Sequence, residues 1–496
     1  MKSNYLFYLS LSLVTACSFS KDMYYMQESY DTAAYESPEM EESVDGEDRP
    51  EINPWVSTEE NNTSTFSADV DSGSYSLARR ALNEGRLPDA SSVRPEEFVN
   101  YFHYDDVGED SSLPFSVDLE SAPSAFGDAE DIHLLRIGIQ ADEIPEAQRD
   151  PVNLVFLLDV SGSMQSPDKL GLVKFSMKQL VDKLSPQDTL SIVAYAGAEG
   201  IILEPTAVED KSIILDALDN LRAGGSTNGE AGIRTAYNMA ESAFREDGVN
   251  RVVLCSDGDM NVGLTGNALI ELIEEYRDRD IFLTTLGFGS GNYQDELMEQ
   301  LADHGNGNYA YIDTQNEALR VLGDNLVSTL QVVAKDLKIQ VDFDTKSVER
   351  WRLIGYENRV LNNEDFANDA VDAGDVGAGH SVTALYEIDL TDEPAGGNLA
   401  QVRMRYKEPT SDESTEHEWI LAAEDRVESF ESASDSLRFA ASVIEFAEIL
   451  RNSPHSEGER FLDVISIASE ASGETERSPI EEEFLTLVEI AGTLSE

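Results

Sequence analysis

The sequence predicts an α/β chain: a doubly wound sheet inserted between the strands of a β-sandwich, with a helical segment before it and helices after it. Three observations carry this expectation. Apolar runs at 154–158, 252–255 and 281–288 are too continuous for half-buried strands and suit a parallel sheet covered on both faces. Apolar residues at helical spacing separate these runs, which gives β-α alternation. Segments of period two flank the block, at 115–120 and 135–139 before it and at 337–343, 382–390 and 402–406 after it.

The chain has 496 residues, enough for roughly two to four domains. Apolar residues make up 41%, so a large core can form. The formal charge of −62 argues against nucleic-acid binding, which needs basic patches. Such a surface suits salty surroundings, where it is screened, or simply an acidic exported protein. Of the two cysteines, Cys255 sits inside an apolar run and reads as a small buried hydrophobe.

Lys2 and the apolar stretch 5–16 read as a signal peptide, too short to span a membrane. The stretch ends Leu13-Val-Thr-Ala-Cys17, which is similar to a bacterial lipoprotein cleavage box, with Cys17 becoming the lipid-modified first residue. Ser18 then favours the outer membrane by the sorting habit of such lipoproteins. Residues 18–51 read as an acidic disordered tether. In the next segment, Asp69-Val-Asp-Ser-Gly73 does not fit an EF-hand, because the Gly comes one position early and Arg80 holds the place of the twelfth-position Glu. Asp69 and Asp71 read as turn or cap residues. Helices are expected before Glu84 and over 95–102.

Within the central block, Leu170, Val173, Met177, Leu180, Val181 and Leu184 recur at helical spacing. Strands are expected at 189–196 and, as an antiparallel return, at 200–203. Helices follow at 211–221, 229–244, 268–278 and 295–302, a short strand at 309–312, and a closing helix at 317–333. After the period-two segments, 417–422 reads as one more strand and 364–379 as a long acidic loop. Leu437, Ala440, Ile444 and Ala447 begin a helix with a wide apolar face, and 461–467 and 481–490 read as two more.

The chemistry concentrates where the first apolar run ends, in Leu154-Val-Phe-Leu-Leu-Asp-Val-Ser-Gly-Ser-Met164. Asp159, Ser161 and Ser163 offer oxygen ligands of the kind hard divalent cations take, at the carboxyl end of a strand, where open α/β sheets place their ligands. Gly224-Gly-Ser-Thr-Asn228 adds the hydroxyl of Thr227, and Val252-Val-Leu-Cys-Ser-Asp-Gly258 adds Asp257. In this order the five residues resemble the von Willebrand factor A (VWA) domain, of Rossmann-like fold, and its metal-ion-dependent adhesion site. With the segment 64–80 and its Leu87-Pro88 turn, most of the mature chain is similar to exported bacterial VWA lipoproteins of the YfbK type. The domains expected are a signal peptide at 1–17, a tether at 18–51, a VWA-associated region at 52–148, the VWA domain at 149–334, a β-sandwich at 335–425 and a C-terminal helical region at 426–496.

The resemblance implies Mg²⁺, with Mn²⁺ as a substitute, held by Asp159, Ser161, Ser163, Thr227 and Asp257. One position stays open for an acidic residue of a partner protein. The lipid on Cys17 would hold the protein at the cell envelope. Two other readings remain: a metal-dependent hydrolase, and a VWA domain whose metal only stabilises its loops. Against catalysis, neither motif carries a His beside Ser161 or Ser163. His304 reads as a turn residue and Asp259 as a loop residue.

Overall fold

The strand Val152–Asp159 lies inside a six-stranded sheet whose order is Tyr309–Ile312, Ile281–Phe288, Val249–Ser256, Val152–Asp159, Thr189–Tyr195 and Gly200–Ala207. All pairings are parallel except the last, the expected antiparallel return. The computed structural model describes residues 52–104, 113–126, 132–195, 200–225, 229–258, 267–289, 294–391, 397–411, 413–456, 460–472 and 477–495.

Every residue of Val152–Asp159 is buried, which explains its unbroken apolar run. Leu154, Phe156 and Leu158 point to one face, into a core shared with Val173, Met177 and Leu180 of the helix Leu172–Lys183. Val155 and Leu157 point to the other face. There they meet Ile233, Ala236 and Tyr237 of Gly229–Ser242, Ile273 of Asn267–Arg277, and Met298 and Leu301 of Asp295–His304. Each such side chain contributes about 1.5–3 kcal/mol by leaving water, so the sheet is anchored from both sides.

The early and late period-two strands form one sandwich. One sheet runs Val56–Ser57, Val348–Ile354, Ser381–Leu390, Ile132–Ala141, Phe115–Pro123. The other runs Val376–Gly377, Val332–Phe343, Asn398–Lys407, Ser414–Ala422, with Thr63–Ser67 also paired to Val332–Phe343. The register pairs Ile139 with Val117 and Val382, and Ile137 with Leu119 and Ala384, so the apolar positions share a face. That face joins Phe66, Val341, Val402 and Met404 in one core. The chain leaves the first sheet at Ala141, builds the α/β block, and re-enters the second sheet at Val332. The block is therefore inserted in the sandwich, as the sequence predicts.

The helices Gly73–Asn83 and Pro95–Val99 pack with Asp435–Leu450, Phe461–Ala471 and Pro479–Ser495 into a single helical layer. Among the described residues no helix is long and apolar enough to cross a membrane.

Several expectations are corrected. The closing helix at 317–333 is broken into Gln315–Leu319, a wide turn over Arg320–Asp324, and Leu326–Leu330. Gly323 weakens a continuous helix there, and Arg320 is drawn out to Glu317 and Ser72. The helix expected from Leu170 starts only at Leu172, after a turn over Pro167–Gly171. The loop 364–379 contains a helical turn, Asn363–Ala367, and the strand Val376–Gly377. Thr63–Ser67 and Val348–Ile354 are strands the periodicity did not reveal. Asp69 is a turn residue as expected, its Oδ1 accepting from the Asp71 amide at 3.1 Å, but both aspartates are buried and face Arg359, and Asp71 Oδ1 accepts from the Tyr309 amide at 2.8 Å.

Candidate functional site

Asp159 is the last residue of its strand and is fully buried. Its Oδ1 accepts from the Ser161 amide at 2.7 Å, which turns the chain over the end of the sheet. A short helical turn, Gly162–Gln165, follows. Ser161 Oγ and Ser163 Oγ stand 2.8 Å apart, with Ser161 buried and Ser163 exposed. The first loop thus grades from a buried carboxylate to a hydroxyl at the surface.

The base of the second loop is tied to the first. Gly224 N donates to Val160 O at 2.7 Å, and Gly162 N donates to Gly225 O at 3.2 Å. Gly225 has φ +102°, a backbone that a side chain would strain. Thr227 lies outside the described residues, as do Asp259 and Cys17.

The third loop leaves Val249–Ser256. Gly258, at φ +80°, donates its amide to Ser256 Oγ at 3.1 Å. Asp257 beside it is 5% exposed and accepts from Lys169 Nζ at 2.8 Å. Asp159 and Asp257 flank a common neighbour, the Tyr195 hydroxyl. Burial pushes that hydroxyl well above its usual range; Asp159 and Asp257 add to the shift, and a hydrogen bond with Ser256 opposes it. Below the loops, burial also pushes the Cys255 thiol up, which leaves it an inert core residue.

Asp159, Ser161 and Ser163 on one side and Asp257 on the other thus stand where the adjacent parallel strands Val152–Asp159 and Val249–Ser256 end. This is a donor set of two carboxylates and two hydroxyls, all oxygen, and it fits a hard divalent cation. Among the described residues no group of three or more His, Cys, Asp or Glu is placed to hold a metal ion, so a metal here must rely on the hydroxyls. His304 is apart from this site: it ends the helix Asp295–His304, with Nδ1 3.0 Å from Glu274 Oε1. Among the described residues, no His hydrogen-bonds to Ser161 or Ser163.

Lys169 was not singled out by its sequence context. It lies in the turn Pro167–Gly171 with φ −115° and ψ −105°, outside the helical region. Its aliphatic chain passes over Gly289, where a Cβ would come within 2.3 Å of Lys169 Cε. The adjacent Asp168 accepts from Arg80 Nη2 at 2.7 Å, and Arg80 Nη1 donates to Tyr311 Oη at 3.0 Å. The Tyr311 hydroxyl in turn donates to the carbonyl of Gly289.

The family described as "von Willebrand factor type A domain" matches residues 153–325. "Uncharacterized protein YfbK, C-terminal" matches 328–494, and "von Willebrand factor" matches 45–136. The protein YfbK of Escherichia coli (strain K12) is 38% identical over 465 residues, covering 88% of this chain and 80% of YfbK. The chain belongs to the YfbK family. A more distant relative of this family member, sll0103 of Synechocystis, is 31% identical over 37% of the chain and 43% of its own length. Among solved structures, a von Willebrand factor type A protein from Catenulispora acidiphila covers 79% of the chain and 90% of its own, with 14% identity and a TM-score of 0.43. The ArnB paralog VWA2 from Sulfolobus acidocaldarius covers 77% and 98%, with 17% identity and a TM-score of 0.39. VWA domains often bind a metal ion, and this YfbK-family chain carries that domain.

Proposed function

We propose that this protein is a binding module of the cell envelope, which captures a partner protein through a Mg²⁺ ion at the mouth of the VWA sheet. The observation that supports the reading is the placement of Asp159, Ser161, Ser163 and Asp257 at the ends of two adjacent parallel strands, graded from buried to exposed. These four residues and Thr227 would hold the metal, with Mn²⁺ as a substitute. When bound, the ion supplies a localised positive charge with an open position for a carboxylate.

The rest of the reading follows from the chain's own charges. Ser161, Ser163 and Thr227 are neutral, so Asp159 and Asp257 are the only negative charges of the motif. Two carboxylates balance the ion without leaving excess negative charge around it, so its open coordination position still accepts a carboxylate from an acidic partner despite the net charge of −62. Asp159 holds the first loop in shape through the Ser161 amide. Cys17, once lipid-modified, would anchor the protein, with the acidic segment 18–51 as a spacer and the outer membrane as the expected location.

The test is a pull-down from envelope extract with the full chain as bait. A partner retained in Mg²⁺, released by EDTA and not recovered by Asp159→Ala supports the reading. Capture unchanged by both EDTA and the substitution rejects it, and leaves a metal that only stabilises the loops as the better account.

A further inference from the structure

The Lys169 ammonium has no counterpart in the oxygen donor set, yet the fold takes trouble to aim it there. Its pair with Asp257 is largely removed from water, the two side chains being 13% and 5% exposed. Charges so placed are weakly screened by salt. The methylenes lie in a slot that exists because residue 289 is glycine: a Cβ would also fall 2.5 Å from Lys169 Cγ and 2.8 Å from Cδ. Gly289 has φ +83°, a backbone that other residues adopt only with strain, and any side chain there would displace the lysine from its slot. One wall of the slot is pinned by the bond from Tyr311 to Gly289 O, and the lysine's own backbone by the Arg80–Asp168 pair. Both Arg80 contacts come from the helix Gly73–Asn83, outside the VWA domain.

We propose that Lys169 is a tethered competitor for the metal: its ammonium neutralises Asp257 and sets the divalent-ion affinity of the site below what the oxygen ligands alone would give. This rests on the metal-binding reading above and deepens it. The motif has two negative charges. With Lys169 on Asp257, an arriving Mg²⁺ meets one of them already balanced and a positive charge within a few ångströms. Even with solvent-like damping, a unit charge that close to a divalent ion weakens binding by about tenfold. The Arg80–Asp168 pair steadies the lysine in this pose, so the N-terminal helix also acts on metal affinity. The device makes occupancy responsive to the surrounding Mg²⁺ concentration, and partner capture with it.

The experiment titrates Mg²⁺ alone into the full chain by calorimetry and follows thermal melting in EDTA and in Mg²⁺. Three variants are compared with the wild type. Lys169→Met keeps the aliphatic chain and removes the charge. Lys178→Met removes an equal charge from the surface pair with Asp219, as the control for overall charge. Arg80→Gln loosens the segment without touching the site. Lys169→Met should bind Mg²⁺ about tenfold tighter than wild type, Arg80→Gln tighter by a smaller factor, and Lys178→Met within about twofold. Lys169→Met should also melt lower than wild type in EDTA, because Asp257 loses its cation, and gain more from Mg²⁺. Equal or weaker binding by Lys169→Met overturns the proposal while the metal reading stands. Flat titrations for all four proteins overturn the metal reading itself, and the competition with it. Should Lys169→Met not fold, Lys169→Gln carries the same expectation and the same refutation.

Discussion

Phe102 and Phe484 meet edge to face, with ring centroids 5.5 Å apart and planes at 78°, although one follows the helix Pro95–Val99 and the other belongs to Pro479–Ser495. Phe439 and Phe446 of Asp435–Leu450 also touch Phe484, at 5.6 Å each. The two ends of the described chain thus share one aromatic cluster. Phe484→Ala should cost about 3–5 kcal/mol, as large aromatic truncations in a close-packed core do. Urea denaturation checks this, and a loss below about 1 kcal/mol would mean the cluster repacks around the gap.

Asp159→Ala should remain folded, because the change lies at the end of a strand held on both sides by apolar packing. It should lose about 10–100-fold in Mg²⁺ affinity, as removal of a ligand-orienting carboxylate does. Calorimetric titration with a circular-dichroism spectrum separates the two effects. A wild-type isotherm from the variant would show that Asp159 serves the loop alone.

Stability should fall as the solution turns alkaline. Burial, reinforced by Glu357, Asp69 and Glu97, pushes Glu96 up to about 8. Burial also pushes Glu97 up to about 8, against the pull of Arg94. An acid whose folded pKa exceeds its unfolded one stabilises fully below the unfolded value, near 4.5, and loses that contribution as pH rises through about 8. Glu317 has the opposite sign: Arg320 and Arg79 outweigh burial and hold it at about 2, so its contribution is lost only as pH falls from 4.5 toward 2. Melting temperature should therefore decline between pH 5 and 9. Glu96→Gln, which resembles the protonated acid, should reduce the slope. A slope unaltered by Glu96→Gln would assign the titration to other groups.

Arg352 is buried between Glu387 and Glu448, at 2.8 and 3.1 Å, and so joins the sandwich to the helix Asp435–Leu450. Arg352→Met should cost about 3–5 kcal/mol, because it leaves a buried carboxylate short of a partner. Adding Glu448→Leu should recover part of the loss. A double-mutant cycle measures the coupling, and additive losses would show that the two side chains act independently.

Cys17→Ser should release the protein from the membrane fraction or leave the precursor unprocessed. Fractionation with mass analysis of the amino terminus checks this. A wild-type protein recovered away from membranes with Met1 retained would contradict the anchor.

Much of this was legible in the sequence, for identifiable reasons. Leu154 to Leu158 announce a strand buried on both faces, because no polar residue interrupts them. Val117 and Leu119 reveal a half-buried strand by alternation, and their marginal number before the α/β block implied partners after it. Asp159, Ser161, Ser163 and Asp257 could be read because each follows directly from a strand. What could not be read depends on residues far away in the chain. Val348–Ile354 carries Arg352, which tolerates burial only through Glu387 and Glu448. Thr63–Ser67 is nearly all polar and is buried through pairing with Val332–Phe343, with Thr65 Oγ1 accepting from Gln340 at 2.7 Å. Asp69 closes a turn on the Asp71 amide, as its sequence suggests, but nothing local shows that both aspartates are buried against the distant Arg359. Lys169 gives no local sign that it crosses to Asp257; the nearest clue, Gly289, is itself distant in sequence.

The insertion of the α/β block between Ala141 and Val332 also fixes an order of events during synthesis. Ile132–Ala141 emerges from the ribosome early, but its neighbour Ser381–Leu390 follows only after the whole block has been made. At roughly 5–20 residues per second, the first half-sheet waits for tens of seconds with Leu135, Ile137 and Ile139 uncovered. The block has its own two cores and can close in that interval. The sandwich is thus completed only after the block and just ahead of the C-terminal helices, and a nascent chain halted within the block would display an unpaired strand edge to whatever holds it.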